Sequence, residues 1–280
     1  MTNHFLFHAV FLGQILLISF YYPRQLLGKM GFVLENYPQD QYPRLYTKPA
    51  EHYRKAQKSF RILNRAILIA GLVLLAVLVN YPRSGEWDKA IATWYFLLQF
   101  FPFLLLDIKS FKEFRRMRKA NTRGTRTAVL QRRGLFNFVS PALFAIAIIT
   151  YVAYIFLIVH INQFDYPWFG GYTNIVAVTL LNLFFAGIVL WHVYGKKLNP
   201  HQAHEDRLQQ TEIIAKALVF TSIAATLFIS ISIVLSALDL RHLQPAVQSL
   251  YFQLLAVLCL QVYRTDYINF EVYKNDAQVT

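Results

Sequence analysis

The sequence predicts an all-α polytopic membrane protein, a bundle of about seven transmembrane helices with its N-terminus outside and its C-terminus in the cytoplasm. Three observations predict it. Hydrophobic residues make up 56% of the 280 and charged residues only 15%, against roughly 45–50% and about 25% in an ordinary soluble domain. The apolar mass gathers into stretches of roughly 17–25 residues, enough to cross a hydrocarbon core about 30 Å thick at about 1.5 Å per residue. The basic residues, finally, crowd into alternate connectors.

Taken in order within a single transmembrane domain of residues 1–280, the spans fall at 5–22, 66–81, 90–106, 141–161, 173–194, 217–238 and 246–263. The first has no basic leading region and no small-residue cleavage site, so it reads as a retained helix and not a signal peptide. The helix that carries the second span starts near Pro49 and enters the membrane without a break. Ser140 followed by Pro141 reads as an N-cap with proline at the first helical position, which fixes the start of the fourth span. Turns between spans two and three, four and five, and six and seven are short, so each pair is expected to form a hairpin. The stretch 36–49 holds Pro38, Pro43 and Pro49 among tyrosines and reads as turn or extended chain.

Orientation follows from charge. Segments 23–65, 107–134, 195–216 and 264–280 hold nine, ten, four and two of the Lys and Arg residues, together 25 of the 28. The positive-inside rule puts that side in the cytoplasm and makes 23–65 and 107–134 basic cytoplasmic connectors of a bacterial-type inner-membrane protein. Trp87, Trp94, Trp168 and Trp191 fall near span ends, as an interfacial aromatic belt requires. The net charge of +13 therefore points to anionic headgroups on the cytoplasmic side, with a protein partner as a further option, and away from nucleic acid. Two clusters carry that expectation at helical spacing: Arg54, Lys58, Arg61 and Arg65 before the second span, and Arg115, Arg116, Arg118 and Lys119 after the third. Plain topology determination and snorkelling are the simpler account of them.

Most chemistry is excluded. Cys259 is the single cysteine, so no intramolecular disulfide and no cysteine-built zinc site exists. No Walker loop, dinucleotide-binding glycine pattern or His-Glu-x-x-His occurs. No Asp, Glu, Lys or Arg lies in the middle of a span, which disfavours ion coupling through a buried carboxylate. No cofactor is expected, and His8 and His160, which might hold a haem near the outer ends of their spans, read more simply as packing residues. His201, His204 and Glu205 would share one helical face if Asn199 caps and Pro200 opens a helix, offering a divalent metal two imidazoles and a carboxylate. Acidic residues in a first helical turn have an electrostatic role without any metal.

What remains is uncharged polarity at depth. Gln14, Gln99, Asn182 and Gln253 fall near the centres of spans one, three, five and seven, and are expected to point inward within one layer. They act either as interhelical hydrogen-bond glue or as the lining of a midplane chamber for a weakly polar solute. Ser222, Thr226 and Ser230 add a small polar seam on span six. The expected function is a non-enzymatic scaffold or sensor subunit working through a cytoplasmic partner. The alternative is a transporter or channel for an uncharged or weakly polar solute.

Overall fold

A computed structural model of the chain describes residues 2–81, 85–120, 134–195 and 199–274. The described chain is helical without strands, and seven of its segments are long and apolar enough to cross a membrane. The elements are α1 (Thr2–Leu16), a π-helical turn (Leu17–Tyr21), α2 (Tyr22–Asn36), α3 (Ala50–Asn80), α4 (Gly85–Ala120), α5 (Pro141–Ile161), α6 (Thr173–Tyr194), α7 (His204–Ala237) and α8 (Gln244–Leu260). Their outer faces carry exposed side chains such as Ile69, Phe156, Leu180 and Leu183, the pattern of helices whose solvent is hydrocarbon. The side chain of Trp87, together with Arg83, Lys196, Lys197 and the basic residues within 121–133, lies outside the described residues.

Two boundaries differ from those read off hydropathy. The first helical segment does not stop at Tyr22 but runs on to Asn36, because loss of apolarity ends a span without ending a helix. Segments 23–65 and 107–134 are accordingly helical for much of their described length. Helices α3, α4 and α7 contain 31, 36 and 34 residues, roughly 45–55 Å at 1.5 Å per residue, well beyond a 30 Å core. The surplus of all three lies at the basic end. Three local readings hold. Ser140 accepts a hydrogen bond from Leu143 N at 3.2 Å with Pro141 in the first turn, α3 follows Pro49, and 37–49 forms turns around a 3-10 helix at Pro43–Leu45.

The π turn has a sequence cause. Pro23 has no N–H to offer the carbonyls one turn back, and its ring crowds that of Ser19. The backbone widens locally, as helices near a proline commonly do. The wide turn buries Ile18 and Ser19.

Packing divides the helices into two groups. Helix α1 lies against α8 and α3, and α4 against α8 and α3; Phe7, Phe11, Ile15, Ile67, Tyr95 and Phe252 fill the core between them. A second apolar layer around Ile18, Phe60, Phe103 and Leu260 continues toward the basic end. Helices α5 and α6 each pack mainly on α7 and only sparingly on each other, so the expected hairpin is splayed. Ala215, Ala217, Thr221, Ala224 and Ala225 of α7 are buried, and such small side chains let neighbouring helices approach closely. Helix α7 also packs on α8, where the rings of Phe228 and Tyr251 stack with centroids 4.4 Å apart.

Candidate functional site

The four central carboxamides do not gather around one chamber; the structure sorts them into two places. Gln14 and Gln99 meet between α1 and α4, with relative exposures of 0% and 1%. Gln14 Nε2 donates to Gln99 Oε1 at 2.9 Å, and Gln99 Nε2 donates to Ser19 Oγ at 2.9 Å and to Gln14 O at 3.2 Å. Ser249 Oγ of α8 donates to Gln14 Oε1 at 2.7 Å. Tyr95 donates its hydroxyl to Ile67 O of α3 at 2.9 Å and lies 3.4 Å from Ser19 Oγ. Gln253 reaches back to Val10 O at 3.0 Å, beside Gly13. One network thus ties α1, α3, α4 and α8 together, and Gln99 uses both N–H groups and its oxygen inside it. Phe11, Ile15 and Tyr95 belong to the buried core on this side of the molecule.

Gly71 permits this arrangement. A Cβ there would overlap the hydroxyl and ring of Tyr95, so only glycine lets the phenol reach the α3 backbone. Ser19, Tyr95, Ser249 and Gly71 were not singled out by sequence. Pro23, four residues after Ser19, was the available sign for the first of them.

Asn182 sits apart, on α6 facing α7. Its Oδ1 accepts from Ser222 Oγ at 2.6 Å, and its Nδ2 donates to Thr226 Oγ1 at 3.2 Å. Nearby, Thr179 donates to Ile175 O at 2.6 Å, so the hydroxyl of Tyr151 that bonds Thr179 Oγ1 is the donor in that pair. These residues line a cavity of about 420 Å³ bounded by α5, α6 and α7, within the roughly 300–1,000 Å³ typical of small-molecule sites. The rest of its wall is apolar, from Val139 and Ala147 to Ala186 and Ile223.

At the basic end, Arg54, Lys58, Arg61 and Arg65 are exposed along α3, and Arg115, Arg116, Arg118 and Lys119 along the end of α4. Glu113 holds Lys48 at 3.3 Å and Arg116 at 2.8 Å and accepts from Thr47, fastening the 37–49 segment to α4. The stretch after α8 is not loose. Phe270 stacks on Tyr37 with centroids 4.1 Å apart, and Tyr42 donates to Glu271 Oε1 at 3.1 Å. Asn199 Nδ2 donates to the buried Tyr273 hydroxyl at 2.7 Å, and Asn269 N donates to Asp206 Oδ2 at 3.0 Å. Burial pushes the Tyr273 phenol up to about 12, so it is neutral here. A smaller cavity of about 220 Å³ near this end is lined by Tyr22, Gln25, Lys29, Tyr263 and Arg264 among others.

The expected helix start at Pro200 is corrected by the structure. Helix α7 begins at His204, after Ala203, and not at Pro200; Asn199 Oδ1 instead accepts from His201 N at 3.0 Å. His201 therefore lies outside the helix that carries His204 and Glu205, with its ring against Tyr273 at 6.5 Å between centroids. Among the described residues no group of three or more His, Cys, Asp or Glu is placed to hold a metal ion. His160 packs edge-on against Phe164, on a helix remote in the packing order from the α1 that bears His8. Trp94 and Trp191 are exposed as belt residues would be, whereas Trp168 turns inward, under Arg241 at 5.2 Å and beside Tyr166.

No family model, curated protein or solved structure matches the chain.

Proposed function

We propose that the chain is a non-enzymatic scaffold or sensor subunit of the cytoplasmic (inner) membrane, N-terminus outside and C-terminus inside, that works through an anionic membrane surface or an acidic protein partner at its basic end. The observation that carries this reading is the construction of that end. Described parts of the four basic segments, 23–65, 107–134, 195–216 and 264–280, meet there through Lys48–Glu113, Tyr42–Glu271, Asn199–Tyr273 and Asp206–Asn269. The result is an ordered platform with the arginines and lysines of α3 and α4 turned outward. Exposed basic residues near a membrane surface attract anionic headgroups by about 1 kcal/mol each. Lys29 and Arg264, the latter paired with Asp266 at 2.6 Å, line the smaller cavity.

Reporter fusions test the orientation. Fusions at Gly85 and Gly171 read outside; fusions at Ala203 and at Arg126 and Thr280, both beyond the described residues, read inside. An inside signal at Gly171 rejects it. The docking claim is tested in nanodiscs containing phosphatidylserine or phosphatidylcholine, by native mass spectrometry of lipid and protein retained on gentle isolation. Changing Arg115, Arg116, Arg118 and Lys119 together to Gln weakens the association, as does moderate salt, because exposed charges are screened beyond about 8 Å at physiological ionic strength. Association indifferent to both rejects it.

A second reading, passage of an uncharged or weakly polar solute, draws on the cavity beside Asn182. Gln14, Gln99 and Gln253 lend it no support, since their amides bind neighbouring helices.

A further inference from the structure

We infer that the cavity between α5, α6 and α7 is a binding site for an uncharged lipid carrying a hydroxyl, a long-chain or isoprenoid alcohol. This goes beyond the scaffold reading and rests on none of its features.

The argument begins with how the space arises. Helices α5 and α6 both lie on α7 but touch each other little. Tyr154 donates its hydroxyl to Asn174 O at 2.8 Å, and Tyr151 bonds Thr179, holding the two helices together toward the 162–172 turn. Beyond those contacts they part, leaving the cavity of about 420 Å³. Phe144, Ile148, Leu183 and Leu190 are among its lining residues and are themselves exposed, so the cavity opens sideways toward the hydrocarbon. A water-soluble ligand has no route through such a mouth; a lipid does.

The lining then selects the chemistry. It contains no Asp, Glu, Lys, Arg or His, which rules against a charged head inside. Its polar atoms lie together: Thr179 and Asn182 are three residues apart on α6, hence on one face. Their bonds leave a complementary pair unused among the described residues. Asn182 Nδ2 donates one hydrogen to Thr226 and keeps a second. The Tyr151 oxygen, donor to Thr179, keeps an acceptor lone pair. A hydroxyl both accepts and donates, and so answers both groups at once; a carbonyl or ether answers only the amide, and a hydrocarbon neither. In hydrocarbon no water competes for these bonds, so the polar pair orients the head while the apolar wall takes the chain.

The probe is a diazirine-bearing farnesyl alcohol, with its methyl ether and the matching hydrocarbon diazirine as comparators, added to the purified full chain in phosphatidylcholine nanodiscs. Cross-links are mapped by mass spectrometry. The alcohol is expected to label the α5 and α6 segments 144–151 and 182–190, about tenfold more than either comparator, roughly the difference one or two hydrogen bonds make. Unlabelled farnesol competes and phosphatidylcholine does not. Asn182→Leu lowers alcohol labelling to the comparators' level. Should that variant fold poorly, Ala186→Phe, which fills the cavity and leaves every hydrogen bond in place, abolishes labelling while its melting temperature stays near that of the parent. Equal labelling by all three probes, or labelling unchanged in Ala186→Phe, means the cavity holds only bulk acyl chains and overturns the inference.

Discussion

The two polar clusters at the heart of the helices use the same residue types and behave differently. Between α1, α3, α4 and α8, Gln14 and Gln99 are buried and both side-chain amides are hydrogen-bonded. Between α6 and α7, Asn182 is only half-buried and borders open space. The difference lies in what surrounds each amide. The first group has four helices, each packed on two of the others, and a π turn that brings Ser19 into line. The second has three, two of which avoid one another. A carboxamide in a span is thus glue where helices converge and a potential ligand group where they diverge, and its sequence context alone does not separate the two.

The largest effect is expected at Gly71. Gly71→Val drives a branched side chain into the Tyr95 ring, breaks the Tyr95–Ile67 bond and destabilises the protein by about 3 kcal/mol, the upper part of the range for overpacked cores. Chemical denaturation of the purified protein measures this, and a change near zero would mean that α3 and α4 separate more easily than drawn. Next comes the coupling within the sealed cluster. Gln14→Leu and Gln99→Leu made together should cost less than the sum of the single changes by about 1 kcal/mol, since each single change strands its partner's amide. Strict additivity would show that the pair does not form.

Smaller effects are expected at the basic end. Phe270→Ala with Tyr273→Ala releases the last described segment, and amide exchange at 37–46 and 199–206 should accelerate together; faster exchange in one segment alone would break the link drawn between them. The pH response has a definite sign. Lys274 and Tyr42 bond the Glu271 carboxylate and hold it below its ordinary range, and Arg264 does the same for Asp266. A depressed carboxylate contributes to docking above its unfolded pKa and loses that contribution as pH falls through the folded one. Amide protection at 264–274 should therefore be level from neutrality to the ordinary carboxylate range and fade only below it. A loss already complete at neutral pH would contradict this assignment.

Hydropathy made the seven helices long and apolar enough to cross a membrane legible, because a core of about 30 Å imposes a length that sequence must honour. It located α5 and α6 to the residue, where Ser140–Pro141 and the short turns bound them. It misplaced the end of the first helical segment, since Arg24, Gln25 and Lys29 are poor in lipid but good in helices. The partition of the four carboxamides was not readable: whether Asn182 meets Gln99 depends on which helices pack, and no charge or spacing encodes that. Asn199-Pro200 imitated a helix start, yet the Asn199 side chain caps only the N–H of His201, two residues on, before the helix begins at His204. The stapling of 264–274 to two other segments was invisible because it is made by Tyr37, Tyr42, Asp206, Phe270 and Tyr273, residues far apart in the chain with no periodicity among them.

The contrast between the sealed and the open cluster is tested most directly by measuring the unfolding free energies of Gln99→Leu and Asn182→Leu side by side in the same nanodiscs. Removing Gln99 strands Gln14 and Ser19 in a closed core, for a loss of about 2 kcal/mol. Removing Asn182 leaves Ser222 and Thr226 beside a cavity and with backbone partners in reach, for a loss below about 1 kcal/mol. The account predicts that Gln99→Leu is the more damaging by at least about 1 kcal/mol; equal losses, or a greater loss in Asn182→Leu, would contradict it.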